Sequence, residues 1–440
     1  MKLTIEKVIY GGQGLARIPV DLETSGGMSI FVPLTLPGEI VEAEITQRHR
    51  GYCIGEAREI AKASEFRTAP PCPWFGTCGG CQLQHSLYPY QVELKRQMLV
   101  ESLTRAGVRD LPPISLLFAQ PLGYRNRVRV QVQTQPEFSV GYRKAKSHRM
   151  TAIDRCPIAA PLLEECIRAL HLLGAKGSFP ADTQEVEIFT NHDQSELFMT
   201  MWTSRHSRSH LIRYKEFFAN VQKEIPQLSG AQVLAVEKGK LATASPLLQW
   251  RRQHLNYRVA GREYIVGAGS FFQVNRTLLD EFVAAVIDDE SGSCVWDLFA
   301  GVGLFSLALM ERFQRVLAVE SNPSALKDMR QNLRGSTTTG KTAKEIQSET
   351  LKFLQQSLQR QEPAPDLILL DPPRAGAGVE ACNLMARSNP RKIVYVSCDP
   401  ATLGRDLGAL IQSGYRLRRL QLVDMFPQTY HMETIATLDL

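Results

Sequence analysis

The pattern that most constrains the fold lies between residues 266 and 440, where short apolar runs alternate with segments of helical spacing. The apolar runs include VWDLF, RVLAVE, DLILL and KIVYVS, and each precedes a helix-like segment. Such alternation is typical of a parallel α/β sheet. The last stretch, RLRRLQLVDMFPQTYHMETIATLDL, predicts an antiparallel hairpin at the end of that sheet.

Residues 1–62 follow another pattern, in which apolar residues alternate with polar ones between glycine-rich turns. This predicts a small antiparallel barrel of OB-like type, a fold that often holds RNA, although a β-cap without a ligand is the alternative. Residues 63–265 begin with a loop rich in Pro, Gly and Cys and continue with strands, which indicates an α+β central domain. A helix is expected around residues 91–107 and could pack on the C-terminal domain.

Composition agrees with a folded protein of several domains. The chain has 440 residues, 44% hydrophobic and 22% charged, which excludes disordered and fibrous classes. No apolar stretch approaches the ~18 residues of a membrane span, and the first residues lack a signal-peptide pattern. We therefore expect a cytoplasmic protein, acting as a monomer and without a membrane partner.

Three cysteines, Cys72, Cys78 and Cys81, lie within one short loop and indicate metal ligation. A four-coordinate site needs one more ligand, for which Cys156 in DRCPI is the candidate. The spacing alone leaves zinc and an iron-sulfur cluster equally open. His85 is more simply interpreted as a surface or hydrogen-bonded histidine.

A candidate cofactor site follows the first apolar run of the α/β region. Asp297 ends the run, and the turn from Gly301 to Gly303 lets the backbone approach a ligand closely. Glu320 ends the next run, where a carboxylate can accept hydrogen bonds from a ribose. The pattern fits a dinucleotide or S-adenosylmethionine, but Ser306 stands where a dinucleotide site has Gly or Ala. A tight turn without a ligand is the alternative.

Two further apolar runs end in reactive groups, at Asp371 in DPPR and at Cys398 in SCDP. Asp399 and Pro400 predict that a helix begins directly after the thiol. The partial positive charge at the start of that helix would favour the thiolate. A thiolate beside a methyl donor suggests conjugate addition to an electron-poor ring. A buried, inert thiol is the plainer interpretation.

The motifs DLFAGVGLF, LDPPRAG, VYVSCDPATLGRDL, FPQTYHMET and FFQVN, together with the cysteine cluster, resemble the RNA (uracil-5-)-methyltransferase family over nearly the whole chain. The chain is most similar to the branch that acts on 23S ribosomal RNA. That branch has an N-terminal TRAM domain, a central domain with a 4Fe-4S cluster and a Rossmann-like methyltransferase domain. The bacterial tRNA branch lacks the first two features.

The resemblance implies a mechanism and a set of site residues. Cys398 would add to C6 of a uracil, S-adenosylmethionine would methylate C5, and Glu433 would remove the C5 proton. Read alone, Glu433 is an ordinary strand residue. The residues expected to contact the cofactor are Gln273, Phe299, Glu320 and Asp371, with Asp297, Gly301 and Gly303 in the turn, and the expected ligands of the 4Fe-4S cluster are Cys72, Cys78, Cys81 and Cys156. Leu304 and Thr350 stand where some relatives have Asn.

The net charge of +6 is small, but residues 124–155 hold eight basic residues against Glu137 and Asp154. We expect this segment to contact the RNA backbone, although a solvated charged face is the alternative. The expected contacts are Arg125, Arg127, Arg129, Arg143, Lys144 and Lys146, the first three alternating along one strand face, with Tyr124 and Tyr142 able to stack on bases.

The sequence thus predicts methylation of C5 of a specific uridine in 23S ribosomal RNA, on a base turned out of its helix. The same family also contains tRNA-modifying enzymes, so tRNA is the alternative substrate. Two other classes stay open from the residues alone: a nicotinamide-dependent iron-sulfur oxidoreductase, and a non-catalytic RNA-binding factor.

Overall fold

The computed structural model describes residues 1–19, 27–135, 137–145, 147, 149–205, 207–237, 240–241, 246–334 and 341–440. Over these ranges the chain forms a six-stranded sheet, a two-stranded hairpin and two eight-stranded sheets. None of the helices within them is long and apolar enough to cross a lipid bilayer.

Six short strands make the N-terminal sheet: β1 (Lys2–Thr4), β2 (Lys7–Ile9), β3 (Gln13–Arg17), β4 (Ser29–Pro33), β5 (Ile40–Arg48) and β6 (Tyr52–Lys62). Their order is β1-β5-β6-β4-β3-β2. The Glu6 N–H donates to the Leu15 carbonyl oxygen (2.8 Å), which brings the chain after β1 against β3, so the sheet curls on itself. Ile30 and Val32 on β4 fill a separate small core. The small β-barrel predicted for residues 1–62 is confirmed.

Two elements follow before the central sheet, α1 (Tyr88–Arg105) and β7 (Ile114–Leu117). The buried face of α1 includes Val92, Met98 and Leu103, which belong to the core of the C-terminal sheet. β7 is an edge strand of that same sheet. The expected packing of the helix around residues 91–107 on the C-terminal domain is thus observed, and β7, which was not foreseen, joins the same domain.

The central domain is an eight-stranded sheet with two helices. Its elements are β8 (Arg127–Gln133), β9 (Ser139–Arg143), β10 (Met150–Ala152), α2 (Pro161–Ala175), β11 (Thr183–Thr190), β12 (Leu197–Thr203), α3 (Arg208–Glu224), β13 (Leu228–Glu237), β14 (Lys240–Leu241) and β15 (Leu248–Arg251). The strand order is β10-β9-β8-β11-β12-β13-β14, with β15 also paired to β13. Apolar side chains of α2 and α3 pack with the sheet into one core.

The rest of the chain forms a hairpin and the C-terminal α/β domain. Its elements are β16 (His254–Val259), β17 (Arg262–Gly267), α4 (Leu279–Ile287), β18 (Gly292–Leu298), α5 (Leu304–Leu309), β19 (Phe313–Glu320), α6 (Pro323–Arg334), β20 (Thr342–Gln347), α7 (Thr350–Gln359), β21 (Leu367–Leu370), α8 (Val379–Arg387), β22 (Lys392–Ser397), α9 (Pro400–Gln412), β23 (Arg416–Val423) and β24 (Glu433–Asp439).

The C-terminal sheet has the order β20-β19-β18-β21-β22-β24-β23-β7. Strands β18 to β22 are mutually parallel, and β24 returns antiparallel between β22 and β23. All four residues of β21 are buried, as expected for a parallel strand covered on both faces. One face packs on α4, α5, α6 and the β16–β17 hairpin, and the other on α1, α7, α8 and α9. The predicted α/β sheet with a final antiparallel hairpin is confirmed.

Candidate active site and cysteine-lined cavity

The carboxyl ends of four neighbouring parallel strands meet along one edge of the C-terminal sheet. β18 pairs with β19 and β21, and β21 pairs with β22, so the residues after these strands emerge side by side. In open α/β sheets this edge is where ligands bind. The residues placed there include the predicted site residues Phe299, Glu320, Asp371 and Cys398.

The turn between β18 and α5 holds its backbone in an unusual conformation. Phe299 (φ 61°), Gly301 (φ 57°) and Gly303 (φ 85°) all adopt positive φ, which for a residue other than glycine costs about 1–2 kcal/mol. The Gly301 N–H donates to one carboxylate oxygen of Glu320 (2.9 Å), and the Asn322 N–H donates to the other (2.7 Å). These hydrogen bonds hold the turn and the end of β19 together as one surface. Strained backbone of the kind seen in this turn is typical of ligand sites.

Asp297 lies within the sheet, fully buried. It accepts a hydrogen bond from the Ser306 hydroxyl, while its Oδ1 has no partner among the described residues. Burial, reinforced by the negative charges of Asp371 and Glu320, raises the pKa of Asp297 to about 7. The unpartnered Oδ1 of Asp297 lies near two other carboxyl groups, those of Asp371 and Glu320. Such a site suits a ligand that brings a hydrogen-bond donor or a positive charge.

Replacing Asp297 by asparagine should reduce the pH dependence of folding stability between about pH 4 and pH 7. The unfolded carboxyl ionises near a pKa of about 3.9, whereas the folded one keeps its proton to a pKa of about 7. The contribution of Asp297 to the free energy of unfolding is therefore fully present below the lower pKa. It is lost, by roughly 4 kcal/mol, as pH rises through the upper pKa.

Urea unfolding at several pH values would measure this effect. Asp289→Asn, which changes a fully exposed carboxylate, is the matched control. Its stability should depend on pH in the same way as that of the wild type. A pH dependence that stays unchanged in Asp297→Asn would show that Asp297 is ionised in the folded protein.

Cys398 and Glu433 lie on neighbouring strands at the same edge. β22 and β24 are antiparallel, with Ser397 paired to Thr434, so Cys398 directly follows and Glu433 directly precedes the two members of this last pair. The Glu433 carboxyl is close enough to Cys398 to raise the pKa of the thiol. The predicted nucleophile and the predicted base are thus brought together.

The thiol of Cys398 is protonated at rest, contrary to the expectation from the helix start after it. Burial raises the pKa of Cys398 to about 12, with further contributions from Glu433 and Asp371 that Arg374 only partly offsets. The positive end of α9 is already occupied, because the Asp399 carboxylate accepts the Ala401 and Thr402 N–H groups (3.0 Å each). Asp399 therefore caps the helix and adds a negative charge beside the thiol.

The Glu433 carboxyl is buried as well, and its pKa is raised. The side chain is 4% exposed, and its Oε2 has no partner among the described residues. Burial and the nearby Asp371 raise the pKa of Glu433 well above its usual range, and Arg374 opposes this shift. Burial raises the pKa of Asp371 as well, while Gln273, whose amide lies 3.4 Å from the Asp371 Oδ2, opposes it.

Arg374 and His431 belong to this site although the sequence did not single them out. The Arg374 Nη2 lies 3.5 Å from the His431 Nε2. Burial, followed by the charge of Arg374, lowers the pKa of His431 to about 4, so the imidazole is neutral near pH 7. Arg374 supplies the positive charge that favours ionisation of both Cys398 and Glu433. Their positions inside the motifs DPPR and HMET are the sequence signal that could have identified them.

The four candidate metal ligands line a single cavity of about 370 Å³ together with Arg125, Tyr142, Arg155, Arg374 and His431. Burial raises the pKa of Cys81 to about 12 and that of Cys156 to about 11, and the neighbouring thiols add to both shifts. Across the described ranges, no three His, Cys, Asp or Glu side chains form a group that could hold a single metal ion. His85 is buried rather than on the surface.

The basic segment, residues 124–155, does not present its arginines on one exposed strand face as expected for contacts with RNA phosphates. The Arg127 guanidinium is largely buried, donates to the Ser270 carbonyl oxygen (2.9 Å) and lies 3.9 Å from the centre of the Phe189 ring. The expectation is therefore wrong for Arg127, which stabilises the domain interior. Arg129 pairs with Glu187 (2.8 Å).

Other residues of the segment remain at the surface. Arg143 and Lys144 are exposed, although Arg143 lies 3.4 Å from a Glu185 oxygen, and Arg125 lines the cysteine cavity. Lys146 lies outside the described residues. Tyr124 is fully buried and donates to the Pro427 carbonyl oxygen (3.0 Å), so the expectation that it stacks on bases is wrong.

Comparison with known proteins gives consistent results across the chain. The model of the tRNA (Uracil-5-)-methyltransferase family matches residues 124–439, and the TRAM domain model matches residues 1–57. An uncharacterized RNA methyltransferase from Aquifex aeolicus is 33% identical over 100% of this chain and 98% of its own. The 23S rRNA (uracil(1939)-C(5))-methyltransferase RlmD of Shewanella amazonensis is 31% identical over 99% and 96%.

One solved structure is similar over its whole length. It is the tRNA (uracil-54, C5)-methyltransferase of Pyrococcus abyssi in complex with S-adenosyl-L-homocysteine, with a TM-score of 0.76, 22% identity and coverage of 100% of both chains. At this identity the likeness concerns the fold, which is that of an S-adenosylmethionine-dependent methyltransferase.

Proposed function

Because the chain belongs to the tRNA (uracil-5-)-methyltransferase family, we propose that it methylates C5 of a uridine in 23S ribosomal RNA, giving 5-methyluridine. The observation that carries this proposal is the nearness of Cys398 to Glu433 and Asp371 at the ligand-binding edge of the sheet. A nucleophile and a base are needed at adjacent carbons of one ring, and this arrangement supplies both. Family membership also removes the support for a nicotinamide-dependent oxidoreductase.

S-adenosylmethionine supplies a methyl group on a positively charged sulfur, and the edge formed by β18, β19 and β21 suits it. The Glu320 carboxylate at the end of β19 retains lone pairs that can accept from ribose hydroxyls. The Phe299 turn exposes backbone for close approach, and the unpartnered Asp297 Oδ1 can accept from a donor. With Asp371 nearby, the site is acidic and complements a cationic ligand.

The chain's own groups would act in sequence on an extruded uracil. Cys398 gives its proton to water and its sulfur bonds to C6, while the electron pair of the C5–C6 double bond moves onto C5 and O4. After C5 has gained the methyl group, Glu433 in its carboxylate form accepts the remaining C5 proton, and the electron pair of that C–H bond reforms the ring double bond as the thiolate leaves. Arg374 favours this chemistry because its charge stabilises both ionised side chains.

We propose that the cysteine cavity holds a 4Fe-4S cluster, with Cys72, Cys78, Cys81 and Cys156 as its ligands. Four thiols on the wall of one cavity, none of them in a disulfide, are the donor set such clusters use. The cluster would connect the loop 72–81 to the segment after β10 and thereby fix the central domain beside the active site.

We expect the RNA backbone to cross the exposed part of the basic segment. Lys144 and Arg149 are exposed and, among the described residues, form no ion pair. Replacing both by glutamate should weaken RNA binding, most at low salt, and reduce the slope of log K against log salt by about 1 for each lost phosphate contact. Filter binding over a salt series would measure it.

The control for that experiment is Arg168→Glu, a charge reversal at an exposed position of α2 in the same domain. It should leave both the affinity and the salt dependence as in the wild type. Equal weakening by the control would indicate a general charge effect and argue against a defined RNA path, and S-adenosylmethionine binding should persist in every variant.

Mapping of 5-methyluridine by mass spectrometry in a deletion strain tests the substrate. Loss of the modification at one 23S position, restored by the wild-type gene, is the expected result. Loss only from tRNA would assign the enzyme to the other substrate of its family, and an unchanged pattern in both RNAs would contradict the proposed function.

A further inference from the structure

The N-terminal domain reaches the active site through the turn between β2 and β3. Val8 and Leu36 from this domain are buried in the same core as α1, α8 and α9 of the C-terminal domain. Lys7 pairs with Glu101 of α1 (2.6 Å). A Cβ atom at Gly12 would lie 2.8 Å from the Gln82 Cβ, which shows how closely the turn is seated. The domain is therefore docked on the catalytic unit.

Tyr10, in that turn, contacts the residue next to the nucleophile. Its hydroxyl donates to the Asp399 Oδ2 (3.2 Å), whereas the Asp399 Oδ1 caps α9. The Tyr10 ring also meets the Tyr430 ring edge to face, with centroids 5.3 Å apart. The Tyr430 ring contacts the His431 ring at a tilt of 40°, with centroids 4.1 Å apart. One half-buried side chain of the N-terminal domain thus touches both chain segments that carry Cys398 and Glu433.

We propose that Tyr10 is a positioning residue of the methyl-transfer reaction, which holds Asp399 and thereby the Cys398 thiol in the geometry for attack on C6. The inference rests on the proposed function and extends it, because it makes the N-terminal domain part of the catalytic centre in addition to any RNA contact. The two carboxylate oxygens of Asp399 have different partners, and without Tyr10 its side chain would keep only the hydrogen bonds that cap α9.

The charge at Asp399 makes the proposal measurable. Cys398 faces three carboxyl groups, Glu433, Asp371 and Asp399, and one cation, Arg374. A hydrogen bond from Tyr10 draws electron density from Asp399 and weakens its repulsion of a thiolate. Tyr10→Phe should therefore make the thiolate harder to form, whereas Asp399→Asn should make it easier and still cap the helix.

The test measures two rates in the full-length protein. The first is alkylation of Cys398 by iodoacetamide over a pH series, followed on its own peptide by mass spectrometry. The second is single-turnover formation of the covalent adduct with RNA containing 5-fluorouridine. Tyr10→Phe should slow both about three- to tenfold, with an unchanged KM for RNA and an unchanged melting temperature. In the Asp399→Asn background the same change should have little effect.

Tyr52→Phe is the matched control, since it removes a hydroxyl from the same domain where the ring contacts Phe31 and His49. It should leave alkylation as in the wild type. An increase in the KM for RNA with normal alkylation, or equal effects of Tyr10→Phe in both backgrounds, would overturn the proposal. Alkylation needs no RNA, so this arm stands even if the chain proves not to methylate uridine.

Discussion

Replacing Cys398 by alanine should abolish 5-methyluridine formation while folding and S-adenosylmethionine binding persist. The methyl group can reach C5 only after a nucleophile has added to C6, and Cys398 is the thiol that lies near Glu433 at the ligand-binding edge. Loss of a covalent nucleophile lowers kcat by about 10⁴-fold or more. Methylation of RNA with labelled S-adenosylmethionine measures the loss, and 5-fluorouridine RNA should form no adduct.

Cys294→Ala is the control for this variant, because Cys294 is half-buried at the opposite end of the strand that leads to the Phe299 turn. It should retain full activity and trap 5-fluorouridine RNA normally. Unchanged product in Cys398→Ala would refute the mechanism. Activity absent in the wild type as well, with RNA binding intact, would instead favour a non-catalytic RNA-binding factor.

Replacing Glu433 by glutamine should give the opposite kind of defect. A covalent protein–RNA complex should accumulate even when the substrate RNA contains ordinary uridine in place of 5-fluorouridine. The thiol can still add and C5 can still be methylated, but no carboxylate remains to take the C5 proton. Loss of a general base slows its step by about 10²- to 10⁴-fold. Removal of a carboxyl that raises the pKa of Cys398 should also make the thiol easier to ionise.

A denaturing gel would show the retarded complex, and mass spectrometry of the Cys398 peptide would show a methylated uridine attached to it. Glu281→Gln, at an exposed position of α4, should turn over normally without an adduct. Normal turnover of Glu433→Gln would show that Glu433 is not the base. Asp371, the other carboxyl near the thiol, would then be the candidate, and Asp371→Asn would test it.

Local patterns are sufficient to predict part of this site. Continuous apolar runs such as LILL and KIVYVS identify buried parallel strands, and the polar residues after them must gather at one sheet edge. Cys398, Asp371 and Glu320 can therefore be grouped from the order of runs along the chain. The positions of helices near Asp399 and Gly303 follow equally from local capping and turn preferences.

Non-local pairing decides the rest. Glu433 becomes a site residue only through the register of β24 against β22, which no local pattern specifies. Arg127 looks like an RNA contact until β11 is placed beside its strand, because Phe189 on that strand lies under its guanidinium. The pKa of Cys398 likewise depends on carboxyl groups from distant parts of the chain and not on its own helix alone.

The position of β7 has a consequence for synthesis of the chain. β7 and α1 leave the ribosome before the whole central domain, yet their partners are β23 and the core beside α9, which are made last. Because domains generally fold in order as they emerge, the apolar face of α1 must wait while the central sheet forms. α1 and β7 therefore lack their α9 and β23 partners until the last part of the chain has been made.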